Sequence, residues 1–227
     1  MMPDQHILRS WHTNAHLWTK VIREETLESR KLVTNQAILD VIFRHQPQNL
    51  LDLGCGEGWL ARKTQAAGIE SWGTDAVPNL IADAEAAGGA SFLVADYEAI
   101  QHGAVAHLKP FDAVVANFAL LGGDAVQQLL AYLPNILSSN GRVFIQTIHP
   151  AMTTGNLPYA DGWRESDWTG FPEPFVDPYP WYFRTIGGWI QSLHDADLQL
   201  VALHEPLHPV SGKPASLILV AQAGRIS

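Results

Sequence analysis

The chain has one cysteine, Cys55, in 227 residues, so no disulfide can form within it. Cations are scarce: 14 Lys and Arg against 23 Asp and Glu give a net charge of −9, and no Lys/Arg cluster stands out. That balance argues against binding along a phosphate backbone, which is driven by neutralising cations. No apolar run approaches the ~18 residues that span a bilayer. The opening Met1-Met2-Pro3-Asp4-Gln5-His6 lacks a basic-then-apolar leader pattern. No HxxxH or Cys/His spacing suggests a metal site. A cytoplasmic protein without nucleic-acid, membrane or metal partners is expected, as monomer or homodimer. Hydrophobic residues are 47% of the chain, enough for a packed α/β core without staples.

What is present begins with two helices. Residues 8–30 carry Trp11, Trp18 and Ile22 at loosely helical intervals, and residues 31–45 form a more regular helix stopped by Pro47. From residue 49, strand and helix alternate: strands at 49–54, 69–75, 91–95, 111–117 and 142–148; helices at 57–67, 77–87, 98–108 and 124–137. Short connections of this kind imply parallel strands and right-handed crossovers. Residues 149–180 break the rhythm with six prolines (Pro150, Pro158, Pro172, Pro174, Pro178, Pro180) and with Trp163 and Trp168. A long irregular segment rich in aromatics reads as a lid. A partly helical stretch at 181–196, with a short strand possible at 182–185, and antiparallel strands at 198–205 and 216–222 complete the chain.

The organising stretch is Leu50-Leu51-Asp52-Leu53-Gly54-Cys55-Gly56-Glu57-Gly58. An apolar strand ends in alternating glycines, which let a ligand approach the backbone, and a new helix points free N–H groups at whatever lies above. The dinucleotide fingerprint wants a small residue where Trp59 stands, and the phosphate loop's Gly-Lys-Ser/Thr is missing. Asp52 would repel a pyrophosphate and suits a ligand with an ammonium or sulfonium group.

Asp-Leu-Gly-Cys-Gly-Glu-Gly resembles motif I of the class I S-adenosylmethionine-dependent methyltransferases. Gly73-Thr74-Asp75 resembles their motif II, Val94-Ala95-Asp96-Tyr97 the adenine-binding motif, and Phe111–Phe118 motif IV. The resemblance covers residues 35–150 by motifs and 180–225 by strand order only. It implies a Rossmann-like three-layer α/β/α sandwich with a mostly parallel seven-stranded sheet, an antiparallel last strand, a helical N-terminal extension and an aromatic, Pro-rich lid. Residues 1–46 would cover the cofactor, and residues 47–227 would form the binding domain with its lid at 149–180. The Ser138–Arg142 segment resembles the family's turn before the fifth strand, with Gly141 at a left-handed corner.

The resemblance assigns cofactor contacts to Asp52, Gly54, Cys55, Gly56, Asp75, Ala76, Asp96, Tyr97, Asn117 and Phe118, with Trp18 and Arg30 from the first helices. Plainer readings stand beside these. Asp75 and Asp96 suit helix N-caps, Cys55 is a small apolar filler, Trp18 packs core, and Arg30 sits in an ion pair. The prolines of the amino-methylating Asn/Asp-Pro-Pro motif are missing after Asn117, which disfavours nucleic-acid substrates. His149, after the fifth strand, is the candidate general base, or else merely fixes the chain ahead of Pro150. Trp163, Arg164 and Tyr182 are candidates for the substrate site. Transfer of a methyl group from S-adenosylmethionine to a small molecule is the expected activity. A non-catalytic binding protein and an NAD-dependent oxidoreductase are the alternatives.

Overall fold

A computed structural model describes residues 3–224 except Lys109 and Asn156. The outermost residues of the expected domain limits, and Asn156 of the expected lid, lie outside the described residues. The chain opens with α1 (Pro3–Arg23), then a π-helical turn over Arg30–Thr34 that runs into α2 (Asn35–Arg44). There follow β1 (Asn49–Leu53), α3 (Trp59–Ala66), β2 (Glu70–Asp75), α4 (Pro78–Ala87), β3 (Ser91–Val94), α5 (Tyr97–Gln101), β4 (Phe111–Asn117), α6 (Asp124–Tyr132) and β5 (Leu137–Thr147). The 149–180 segment, expected above to be a lid, carries α7 (Pro150–Thr153) and β6 (Gly162–Arg164), which pairs with β7 (Trp181–Phe183). Helix α8 (Ile186–His194) and strands β8 (Leu198–His204) and β9 (Leu217–Ala223) finish the fold.

The seven-stranded sheet has the order β3-β2-β1-β4-β5-β9-β8. Strand β9 runs antiparallel to both β5 and β8, so the reversed strand lies inside the sheet and β8 forms the edge. Alternation along β4 explains the two covered faces. Val114 and Ala116 join one core with Val126, Leu129 and Leu193 of α6 and α8, whereas Ala113 and Val115 face Ile38, Ile42 and Leu60 of α2 and α3. The sandwich, the reversed last strand and the N-terminal helix match the expected architecture.

Several expected limits move. Helix α1 starts at Pro3 and ends at Arg23, earlier than 8–30. Helix α5 begins at Tyr97 behind its N-cap Asp96 and closes at Gln101, before Gly103 takes φ +92°. Helix α6 gives way at Leu133 to a 3-10 turn over Leu133–Asn135, and the expected turn at 138–142 is strand instead: β5 already starts at Leu137, where Leu137 pairs with Phe111 and Ser138 Oγ donates to Asp112 Oδ1 at 2.7 Å. Gly141 is not a left-handed corner. It stands in the strand, where a Cβ would come within 2.6 Å of the Phe111 carbonyl oxygen, so close backbone approach accounts for the glycine.

The sheet order reverses between β1 and β4, and the site lies there, beyond the carboxyl ends of the strands. Helix α1 crosses above it and packs on α4 through Ala15, Val77 and Leu80, with Trp11 and Trp18 alongside. Asn14 in turn holds the lid, donating to the Val176 carbonyl at 2.8 Å and accepting from its N–H at 3.0 Å. Arg9 and His6 bind Asp177, and Lys20 pairs with Glu173.

Candidate active site

The loop after β1 adopts positive φ at Gly54 (+67°), Gly56 (+58°) and Gly58 (+84°). A Cβ on Gly54 would meet Ala119 Cβ at 2.6 Å, and one on Gly56 would meet the Trp18 indole at 3.1 Å. Both glycines are therefore required by conformation and by space. Gly56 N–H donates to Asp75 Oδ2 and Val77 N–H to Oδ1, each at 2.9 Å. The carboxylate at the end of β2 is thus tied to the loop, and each oxygen keeps a lone pair for a ligand hydroxyl. Burial raises its pKa, which those backbone donors partly oppose.

Gly54, Gly56, Asp75, Ala76, Asp96, Tyr97, Asn117, Phe118 and Trp18 all line one cavity of about 290 Å³. Asp96 Oδ1 caps α5 by accepting from Ala99 N–H at 2.7 Å, and the residue lines the cavity. The Tyr97 hydroxyl donates to the Ala119 carbonyl at 2.9 Å, pinning the segment after β4. Asn117 Oδ1 is buried without a partner among the described residues. Phe118 takes φ +56°, an uncommon conformation for a bulky side chain.

Two of the cofactor candidates lie beneath the loop instead of in the cavity. Asp52 is buried in β1, and Cys55 points at Gly73, where an added Cβ would come within 2.8 Å of its Sγ. Desolvation, reinforced by Asp75, pushes Asp52 up to about 7, against the pull of Arg30. Burial also raises Cys55 well above the usual thiol range, which fits a filler.

A second cavity of about 280 Å³ adjoins the first and shares Trp11, Trp18, Phe118 and Leu121 with it. Arg30 opens here. Its guanidinium lies 5.2–5.8 Å from the ring centres of Trp18, Trp59 and Phe118, with no hydrogen-bond partner among the described residues. Burial lowers its pKa to about 10, so it stays charged near neutrality. Tyr182 lines this chamber, but Trp163 and Arg164 do not. Trp163 packs edge-on against Tyr182 from outside. Arg164 lies 3.4 Å from the Phe183 ring centre and donates to the Pro158 and Thr153 carbonyls, bracing the lid. His149 turns away from both cavities: its Nε2 pairs with Glu205 Oε1 at 2.7 Å, and its Nδ1 is buried without a partner among the described residues.

Sequence reasoning missed Glu57 and Trp11, took Trp189 with Tyr179, Trp181 and Tyr182 as walls of an apolar pocket, and left Arg184 between a substrate carboxylate and an ion pair with Asp161 or Glu165. Glu57 is buried and held by Arg62 and Arg23, locking α1 to the loop. Arg184 and Trp189 line the aromatic chamber.

A family model described as a methyltransferase domain matches residues 23–203. The chain belongs to that methyltransferase family. Its fold is that of the class I S-adenosylmethionine-dependent enzymes, as three solved structures illustrate. An S-adenosylmethionine-dependent methyltransferase of Listeria monocytogenes is similar at 18% identity and TM-score 0.64, over 85% of this chain and 100% of that one. The CcbJ methyltransferase of Streptomyces caelestis has 16% identity and TM-score 0.62, over 83% and 88%. The glycopeptide N-methyltransferase MtfA, in complex with S-adenosylhomocysteine, has 15% identity and TM-score 0.62, over 82% and 88%. No curated protein matches the chain significantly by sequence. This methyltransferase has no helix long and apolar enough to cross a membrane, and no metal-holding cluster of His, Cys, Asp or Glu, among the described residues.

Proposed function

We propose that this methyltransferase transfers the methyl group of S-adenosylmethionine to a small-molecule acceptor by in-line displacement. One observation carries the reading: a glycine-loop cavity rimmed by carboxylates opens, past Trp18 and Phe118, onto an aromatic chamber. The residues suit the cofactor. Asp75 offers lone pairs to ribose hydroxyls, Asp96 and Tyr97 sit at the adenine end, and the orphaned Asn117 Oδ1 is an acceptor for an ammonium. Arg30, outside this cavity but behind Trp18, is placed for a cofactor carboxylate that reaches past the indole.

S-adenosylmethionine supplies an electrophilic methyl group and a neutral thioether leaving group. The protein's part is to align the acceptor and exclude water, which can be worth several kcal/mol, up to ~7–11 in the best intramolecular cases. Residues 3–46 close over the site, and the 149–180 segment forms the wall and roof of the acceptor chamber. Neither cavity has a histidine in its lining, so alignment of an already nucleophilic acceptor accounts for the chemistry better than a base at His149. A cytoplasmic location belongs to the same proposal, supported by the single buried thiol, which suits a reducing compartment.

The test is methyl transfer from labelled S-adenosylmethionine to extracted metabolites. A labelled product that depends on the wild-type chain supports the reading. Cofactor bound without any labelled product would instead make the chain a binding module.

A further inference from the structure

The two cavities differ in charge. The lining of the glycine-loop cavity contains Asp4, Asp75, Asp96 and Glu98 and no Lys, Arg or His. The lining of the adjoining chamber contains Arg30 and Arg184 and no Asp, Glu or His. Nine of the 18 residues of that chamber are aromatic. Opposite linings imply ligands of opposite charge, because a buried ion is tolerated only with a compensating one.

Arg184 is the better placed of the two cations for the acceptor. It is only 4% exposed, and it is stacked between Tyr182 and Trp189, with ring centres 4.7 and 4.9 Å from the guanidinium carbon. Nη1 donates to the Gly122 carbonyl at 2.9 Å and Nη2 to the Gly123 carbonyl at 3.0 Å. A guanidinium has five N–H groups, so three remain without a partner among the described residues. The nearby acids are engaged elsewhere or lie outside the chamber: Asp161 accepts from Thr185 N–H, Asp4 from the Gly123 backbone, and Asp124 opens α6. The aromatic brackets and the two carbonyls fix the plane of the fork, which suits a carboxylate or similar planar anion.

Resting on the cofactor reading above, we propose that the acceptor is a flat aromatic anion, its ring held among the chamber's aromatic side chains and its negative group paired with Arg184. An oxygen of the acceptor's negative group attacks the sulfonium methyl carbon where the two cavities meet beside Phe118: an O–CH3 bond forms as the S–CH3 bond breaks, leaving a neutral thioether and a neutral methylated product, so the two charges cancel. Burial in a water-poor chamber favours a charge-cancelling displacement of that kind. The anion also needs no protein base, in keeping with the lining.

The experiment is calorimetric titration of the full chain near neutral pH with naphthylacetate, naphthylacetamide and naphthylethylamine, which share a ring and differ in charge. Naphthylacetate is expected to bind at least about tenfold more tightly than the amide, and the amine more weakly still. Arg184→Gln should bring acetate and amide within about threefold, and Arg184→Lys should restore most of the preference. The comparison is a ratio on one protein sample, so partial misfolding does not imitate it. Equal binding of the three probes, or a preference that survives Arg184→Gln, overturns the proposal. S-adenosylhomocysteine titrated into the same samples tests the cofactor reading separately: its failure to bind while naphthylacetate binds would sink that reading and leave the anionic chamber standing.

Discussion

Asp52 is buried beneath the glycine loop, and desolvation with Asp75 nearby raises its pKa to about 7. The folded-state value lies above the unfolded one of ~3.9, so the folded state holds this proton more tightly. The associated stability is complete below about pH 4 and is lost as pH rises through about 7, a difference of up to ~4 kcal/mol. The ligand-free chain should therefore melt at lower temperature at about pH 8 than at about pH 5, and Asp52→Asn should flatten that slope in calorimetry. An unchanged slope in the variant would show that Asp52 does not set it. Gly54 makes a steric prediction. With φ +67° and Ala119 Cβ 2.6 Å from any added Cβ, Gly54→Val should weaken binding of S-adenosylhomocysteine at least about tenfold, ~1.4 kcal/mol. Wild-type affinity in that variant would contradict the placement of the loop. The positions of Gly54 and Asp75 were legible in the sequence because they are local, a glycine run after a strand and an acid one strand further on, whereas Asp52, expected at the ligand, lies buried beneath the loop. Arg184 was only half legible, since its value comes from Gly122, Gly123, Tyr182 and Trp189, which no spacing rule brings together.

Among the elements, α1 is fastened to the stretch Glu173–Asp177. Asn14 binds both the N–H and the carbonyl of Val176, while Asp177 accepts from Arg9 and pairs with His6. The hydrogen bond from Arg9 leads in holding the Asp177 carboxyl down to about 2. Asn14→Ala removes two part-buried hydrogen bonds to Val176, whose carbonyl keeps the Trp168 indole as a donor, a cost of about 1 kcal/mol. Because the contact lies in the lid and not under the sheet, faster hydrogen exchange is expected across residues 166–183, with a raised KM for the acceptor. Exchange unchanged there, with global stability reduced, would place the role of Asn14 in the core instead. Sequence periodicity found every strand of the main sheet but misjudged helix ends, as at α1. Such ends are settled by tertiary contact: Arg23 at the end of α1 reaches Glu57 and the Asp83 carbonyl. The early start of β5 likewise depends on Asp112, 26 residues away from Ser138, which no local pattern reports.

For the whole molecule, the sheet order places the glycine loop at the reversal point, and the N-terminal helix and the segment after β5 build the aromatic chamber against it. The alternation of strand and helix made the first half of that arrangement readable. The chamber was readable only along its Tyr179, Trp181, Tyr182 and Trp189 wall, because much of the rest comes from α1, the segment after β4 and Phe171. Its aromatic residues are scattered along the chain and meet only on folding. The central claim is that the loop, Asp75 and the segment after β4 together bind the adenosyl cofactor. The most direct measurement is calorimetric titration of S-adenosylhomocysteine into the wild-type chain and Asp75→Ala. One-site binding to the wild type, weakened at least about tenfold in the variant, is the predicted result. No binding to the wild type, or equal binding to both, would contradict it.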